Sequence, residues 1–187
     1  MFSPRFLVIS LGNTGPYYDT LHSAGHFALA AAQKVLGAPQ QPRFSPERYG
    51  AKSCQASPGT PYTMLQSPTL MNVSGPWFLA AYRDTLSRYN LQPEELGVVL
   101  VHDDLEEDFG NVRIRKWAAS HRGHNGIKSV NASMKNQHLS VSDYVLKKMT
   151  RYQKDIIDAK VGFSVVERLR DLHEAWEDDL ERAAPKG

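Results

Sequence analysis

The chain has 187 residues, 41% of them hydrophobic, and 22 Lys+Arg against 20 Asp+Glu give a formal charge of +2. A chain of that length buries enough surface to fold without disulfides or a structural metal, and the one cysteine, Cys54, can form no internal bridge. The small net charge argues against an indiscriminate polyanion binder. No window reaches the roughly 18–20 apolar residues of a membrane span, and the strand-like Phe6-Leu7-Val8-Ile9 leaves no room for a secretion signal. A single domain over 1–187 is expected, in a reducing compartment or indifferent to redox.

In chain order, a buried strand is expected at Arg5 to Leu11 and a helix from about His22 to Leu36. Pro39 to Pro46 reads as a loop. Short strands near Tyr49 to Ala56 and Tyr62 to Gln66 are separated by the turn residues Ser57-Pro58-Gly59. Ser74 is placed to cap a helix running from Pro76 to about Tyr89. The run Gly97-Val98-Val99-Leu100-Val101 is of the kind buried on both faces of a sheet, and alternating Val112-Arg113-Ile114-Arg115 follows it. From Arg151 to Ala183 the residues Ile157, Val161, Val165, Leu169, Leu172, Trp176 and Leu180 recur at three and four, which makes a long amphipathic helix. Strands interleaved with helices make an α/β sheet with covered faces.

Charge is segregated along this order. Five acids lie between Asp103 and Asp108, five basic residues and no acid between Asn111 and Lys128, and six acids without Lys or Arg between Asp171 and Glu181. Such a division gives a near-neutral protein one basic side that can dock a polyanion through phosphate contacts, although solvated faces without a partner fit the charge runs as well.

Leu11-Gly12-Asn13-Thr14-Gly15 follows the first buried strand, where open α/β sheets bind ligands, but it matches neither GxxxxGK[ST] nor GxGxxG and would serve equally as a turn. His22 sits at a helix start, whose positive end disfavours the imidazolium and helps keep the ring available as a base. Asp103 ends the second buried strand. If the two strands are parallel neighbours, both side chains reach the carboxyl edge of the sheet, and the carboxylate can hold one imidazole nitrogen while the other takes a proton from water. That dyad needs no Ser or Cys nucleophile, and Cys54 has no histidine near it in sequence. Met71-Asn72-Val73-Ser74-Gly75 and Arg122-Gly123-His124-Asn125-Gly126 each set an Asn beside a Gly near a helix start, where amide donors can converge on a carbonyl or an oxyanion. The set suits hydrolysis of a polar ester or amide. A metal is the rival reading, through His102, Asp103, Asp104, His121 and His124, but HExxH is absent and the surroundings are basic.

Together, Leu11 to Gly15, His22-Ser23-Ala24-Gly25, Met71 to Gly75, His102-Asp103 and Gly123-His124-Asn125-Gly126-Ile127-Lys128 resemble the bacterial-type peptidyl-tRNA hydrolases in order and spacing from residue 5 to about 130. The resemblance implies a single α/β domain with a mixed sheet flanked by helices, acting as a cytoplasmic or mitochondrial monomer without cofactor, metal or membrane. The reaction it implies is cleavage of the ester between a peptide and the 3′-terminal ribose of tRNA. By position, His22 becomes the catalytic base and Asp103 its partner. Asn13, Asn72 and Asn125 become the amides that hold peptide, 3′ end and water, with Met71 and His124 lining the cleft. Arg113 and Arg115 fall where the family has lysines that contact tRNA phosphate, with Lys128 beside them in the basic stretch. Some relatives on this fold are RNA-splicing factors, so RNA binding without turnover is the alternative.

This chain departs from the family at Leu21-His22-Ser23, where Arg-His-Asn is usual, and at Thr14, where Pro is usual. His-Asp-Glu becomes His102-Asp103-Asp104, which preserves the charge. The family also has a strand containing Gly-Ile-Gly-Arg before the segment like Tyr144-Val145-Leu146. Asn131 to Asp143 is too short to hold it, so the sheet is expected to lack one strand unless His138 to Val141 or a partner chain fills the place.

Overall fold

The structure, a computed structural model, describes residues 5–104, 112–116, 124–134, 141–147 and 160–183. Among these residues β1 (Arg5–Ser10), β2 (Ser45–Tyr49), β3 (Lys52–Pro58), β4 (Tyr62–Gln66), β5 (Leu96–Asp104), β6 (Arg113–Lys116) and β7 (Val141–Lys147) form one sheet in the order β2-β3-β4-β1-β5-β7-β6. The four neighbours β4, β1, β5 and β7 run parallel, whereas β2, β3 and β6 pair antiparallel, so the sheet is mixed. Helices α1 (Ala24–Leu36), α2 (Ser74–Tyr89), α3 (Asn125–Met134) and α4 (Gly162–Ala183) cover it.

The apolar runs in β1 and β5 are buried on both faces. Phe6, Val8, Val99 and Val101 pack with residues of α1 and α4, and the alternate Leu7, Ile9, Val98 and Leu100 pack with α2 and α3. The period of two in a strand splits each run between the two layers. The expected stripe is buried at Val161, just ahead of α4, and on α4 at Val165 and Leu169, is half-buried at Leu172 and Trp176, and leaves the core at Leu180, which is 36% exposed. Residues 151–159, which include Ile157, lie outside the described residues.

Several local expectations are revised. The strand expected near Tyr49 to Ala56 is β3, which runs on through Ser57 and Pro58, and a further strand, β2, begins at Ser45 within the stretch read as a loop and joins β3 at Gly50 and Ala51, both with positive φ (54° and 68°). The outer strand Ser-Pro-Glu-Arg-Tyr is polar and contains proline because it lies at the sheet edge. Ser74 does not cap α2 from outside; it is the first helical residue, and its hydroxyl turns back onto Met71 O at 3.0 Å. His22 lies in a 3-10 turn, Leu21–Ser23, just ahead of α1. The place beside β5 is not open, because β7 occupies it from Val98↔Val141 to Asp104↔Lys147. The segment Tyr144-Val145-Leu146 itself is that strand. Among the described residues no helix is long and apolar enough to cross a membrane.

Candidate active site

β1 and β5 are parallel with Ser10 opposite Val101, so the loops that leave both strands open on one edge of the sheet. Leu11 N–H extends the pairing by donating to Val101 O at 2.8 Å. The start of α1 presses onto the same two strand ends at Gly25, where a Cβ would come within 2.4 Å of Val101 O and 2.8 Å of Leu11 O. Only glycine permits that approach, and it places His22, three residues earlier, above the end of β5.

Asp103 is 1% exposed. Its Oδ2 accepts a hydrogen bond from His22 Nδ1 at 3.0 Å and its Oδ1 one from His124 Nε2 at 3.1 Å. The His102 ring, whose Nδ1 donates to Asp103 O at 2.8 Å, lies 4.4 Å from the His124 ring. Burial alone would raise the Asp103 pKa, but the hydrogen bonds and charges of His124 and His22 outweigh it and hold the carboxyl below its ordinary value. His22, by contrast, is 44% exposed at its side chain, so the ring is reachable from solvent. A buried carboxylate bonded to Nδ1 fixes the proton there and leaves Nε2 its lone pair.

The three asparagines lie at this edge on different elements. Asn13 follows β1, and its Oδ1 accepts from Met71 N–H at 3.2 Å, which ties the first loop to the turn after β4. With that oxygen committed, Asn13 offers a ligand its Nδ2 donors. Met71 is buried in the turn Met71–Val73, and Asn72 beside it is exposed. A Cβ at Gly126 would stand 2.9 Å from both Met71 Cγ and His124 Cε1, so this glycine lets the turn and the start of α3 meet. Asn125 opens α3 and is exposed, as is Lys128 one turn on. Gly75 N–H donates to Ser129 Oγ at 3.0 Å and holds the start of α2 against α3.

Arg113 lies opposite Val145 on β7, next to Leu146, which is itself opposite Asp103. The basic strand therefore runs two strand spacings, roughly 10 Å, from the Asp103 strand. Arg115 is the register partner of Asp143, farther from the edge. His121 lies outside the described residues, as does the side chain of Asp104. No group of three His, Cys, Asp or Glu among the described residues is arranged to hold a metal ion. Cys54 is 5% exposed on β3, and burial, together with the charge of Glu47, pushes its thiol up to about 12, so it carries no thiolate at neutral pH.

With this geometry in place, the family model described as Peptidyl-tRNA hydrolase matches residues 7–184. The chain belongs to the peptidyl-tRNA hydrolase family. Relatives so named include one from Delftia acidovorans, 32% identical over 177 residues that span 85% of this chain and 80% of that one. Another, from Leptothrix cholodnii, is 30% identical over 174 residues, covering 85% and 78%. The fold matches the solved peptidyl-tRNA hydrolase of Acinetobacter baumannii with a TM-score of 0.56 at 17% identity, over 89% of this chain and 85% of that one. It also matches a proteasome-assembly chaperone homologue of Mycobacterium tuberculosis, with a TM-score of 0.52 at 11% identity over 97% and 96%.

Two contacts were not foreseen from the sequence. Ser23, which stands where the family has Asn, accepts from Asn13 N–H at 3.2 Å and lies 3.3 Å from Asn13 O as a donor, so the shorter side chain clamps the loop that carries Asn13. His124, expected to line the cleft, is also the second partner of Asp103. Its position immediately before a helix start at the carboxyl edge was the available signal.

Proposed function

We propose that this chain hydrolyses the ester linking a peptide to the 3′-terminal ribose of tRNA, with His22 as general base and Asp103 as its orienting partner. The observation that carries the proposal is a buried carboxylate bonded to Nδ1 of a half-exposed imidazole. His22 Nε2 takes a proton from water as the water oxygen attacks the ester carbonyl. The resulting imidazolium is stabilised by Asp103 and returns the proton to the departing ribose oxygen. Nδ2 of Asn13 donates to the peptide carbonyl or the developing oxyanion, and Asn72 and Asn125 hold the 3′ end and the water. Met71 and His124 wall the cleft. Arg113, Arg115 and Lys128 contact tRNA phosphates and fix the acceptor end in register, without reading bases.

The test is release of the blocked amino acid from an N-blocked aminoacyl-tRNA. Wild type releases it, and His22→Ala loses on the order of 10²–10⁴ in kcat with an unchanged far-UV spectrum. Release by His22→Ala at the wild-type rate would rule out the dyad. Salt-sensitive tRNA binding by wild type without any release would assign the chain to RNA binding instead.

A further inference from the structure

His124 touches two partners at once, and the two contacts assign its proton. Nδ1 lies 3.2 Å from Ile127 N, a backbone donor in the first turn of α3, and so must accept. The first N–H groups of a helix have no intrahelical partner, and Nδ1 supplies one of them with an acceptor, as a capping side chain does. With its lone pair so used, Nδ1 carries no proton. The single ring proton is then on Nε2, and at 3.1 Å it is donated to Asp103 Oδ1.

The ring is held in this pose from three sides. His102 lies against it at 4.4 Å, Gly126 leaves no side chain to press on Cε1 between the two bonded nitrogens, and only 11% of the side chain is exposed. A carboxylate that accepts only from His22 could rotate about its terminal torsion, and either oxygen could face the imidazole. With Oδ1 committed to His124, Oδ2 alone remains for His22.

We propose that His124 is a positioning residue, a helix-capped imidazole that acts through Asp103 to fix the orientation and tautomer of His22, in addition to forming part of the cleft wall. The inference rests on the His22–Asp103 reading above for its catalytic consequence, but the tautomer of His124 stands apart from any activity. It assigns the residue an effect on kcat, whereas a substrate-contacting role alone would act on KM.

Two substitutions divide the contacts. The Asn amide oxygen in His124→Asn can take the place of Nδ1 and keep the cap, but nothing reaches Asp103. In His124→Gln the amide nitrogen can take the place of Nε2 and donate to Asp103, but the cap is lost. In the peptidyl-tRNA release assay, His124→Asn is expected to stay folded, with an unchanged far-UV spectrum although one oxygen of buried Asp103 loses its partner, and to keep its KM within about twofold. Its kcat should fall about ten- to a hundredfold, part of the roughly 10²–10⁴ that a positioned base contributes. His124→Gln is expected to melt lower yet recover at least about fivefold in kcat over His124→Asn. A wild-type kcat in His124→Asn, or a raised KM with kcat intact, overturns the proposal. The substrate-free check is long-range 1H–15N spectroscopy of the full chain, which should show His124 with an unprotonated Nδ1 and a protonated Nε2. The reverse tautomer overturns the proposal even if the enzyme is active. If wild type releases no peptide while the expected tautomer is seen, the proposed reaction fails and the capped-imidazole clamp stands.

Discussion

His26 offers a test of the packing beneath the site. It lies in α1, one turn after His22, and is 1% exposed. Its Nδ1 is 2.7 Å from Ser10 Oγ, its ring stacks on Tyr18 at 5.7 Å, and its edge fills the space where a Cβ on Gly12 would be, 2.7 Å from Nε2. Burial lowers its pKa from 6.5 to about 4. Above 6.5 neither the folded nor the unfolded chain protonates this ring, and its full contribution to stability is present. As pH falls below 6.5 the unfolded chain takes up the proton and the folded one does not, so stability declines until the folded ring also titrates near 4. At 1.36 kcal/mol per unit the whole loss is about 3 kcal/mol, of which about 2 kcal/mol has gone by about pH 5. The assay is urea unfolding followed by far-UV circular dichroism between about pH 8 and about pH 5, on wild type and His26→Asn. Asn keeps a polar atom near Nδ1 for Ser10 and removes the titration. The carboxylates titrate equally in both proteins, so the gap between the curves isolates His26, and it should narrow by about 2 kcal/mol toward acid. Parallel curves would refute the reasoning.

Two further outcomes concern the site itself. In Asp103→Asn one amide oxygen can accept from only one imidazole, and the amide N–H groups face the other, so kcat should fall on the order of 10²–10⁴ while tRNA binding persists. A filter-binding assay beside the release assay checks this, and unaltered turnover would remove Asp103 from the mechanism. Replacing Arg113 and Arg115 together with Ala should weaken tRNA binding and make the dependence of log K on log salt shallower by roughly two, measured by fluorescence titration at several salt concentrations. An unchanged slope would show that neither residue meets a phosphate.

What was legible in the sequence was what depends on local period and on strand ends. The runs around Val8 and Val99 had to be buried on two faces, and if the strands were parallel neighbours His22 and Asp103 had to share an edge; the register of β1 with β5 meets that condition. The polar edge strand β2 carries no apolar alternation and could not be read. The Asp103–His124 contact spans 21 residues and depends on how α3 docks against the Met71 turn, so no spacing rule reports it. The Ser23 clamp was hidden for another reason. Its value comes from closing onto the backbone of Asn13, which one of the departures from the family pattern would not suggest.

The strand expected to be lacking bears on the site through rigidity. Asp103 lies near the end of β5, and a strand end with an open side frays and admits water. Here pairing with β7 continues past it, with Asp103 opposite Leu146 and Asp104 opposite Lys147. Both flanks of β5 are thus covered, by β1 and by β7, and the carboxylate is left 1% exposed with its two oxygens on two imidazoles. The same strand carries β6 on its outer side, so the chain keeps Arg113 close to that edge in spite of its short connection. The geometry around His22 therefore depends on the place beside β5 being filled, and Val141–Lys147 fill it along the whole length that carries Asp103.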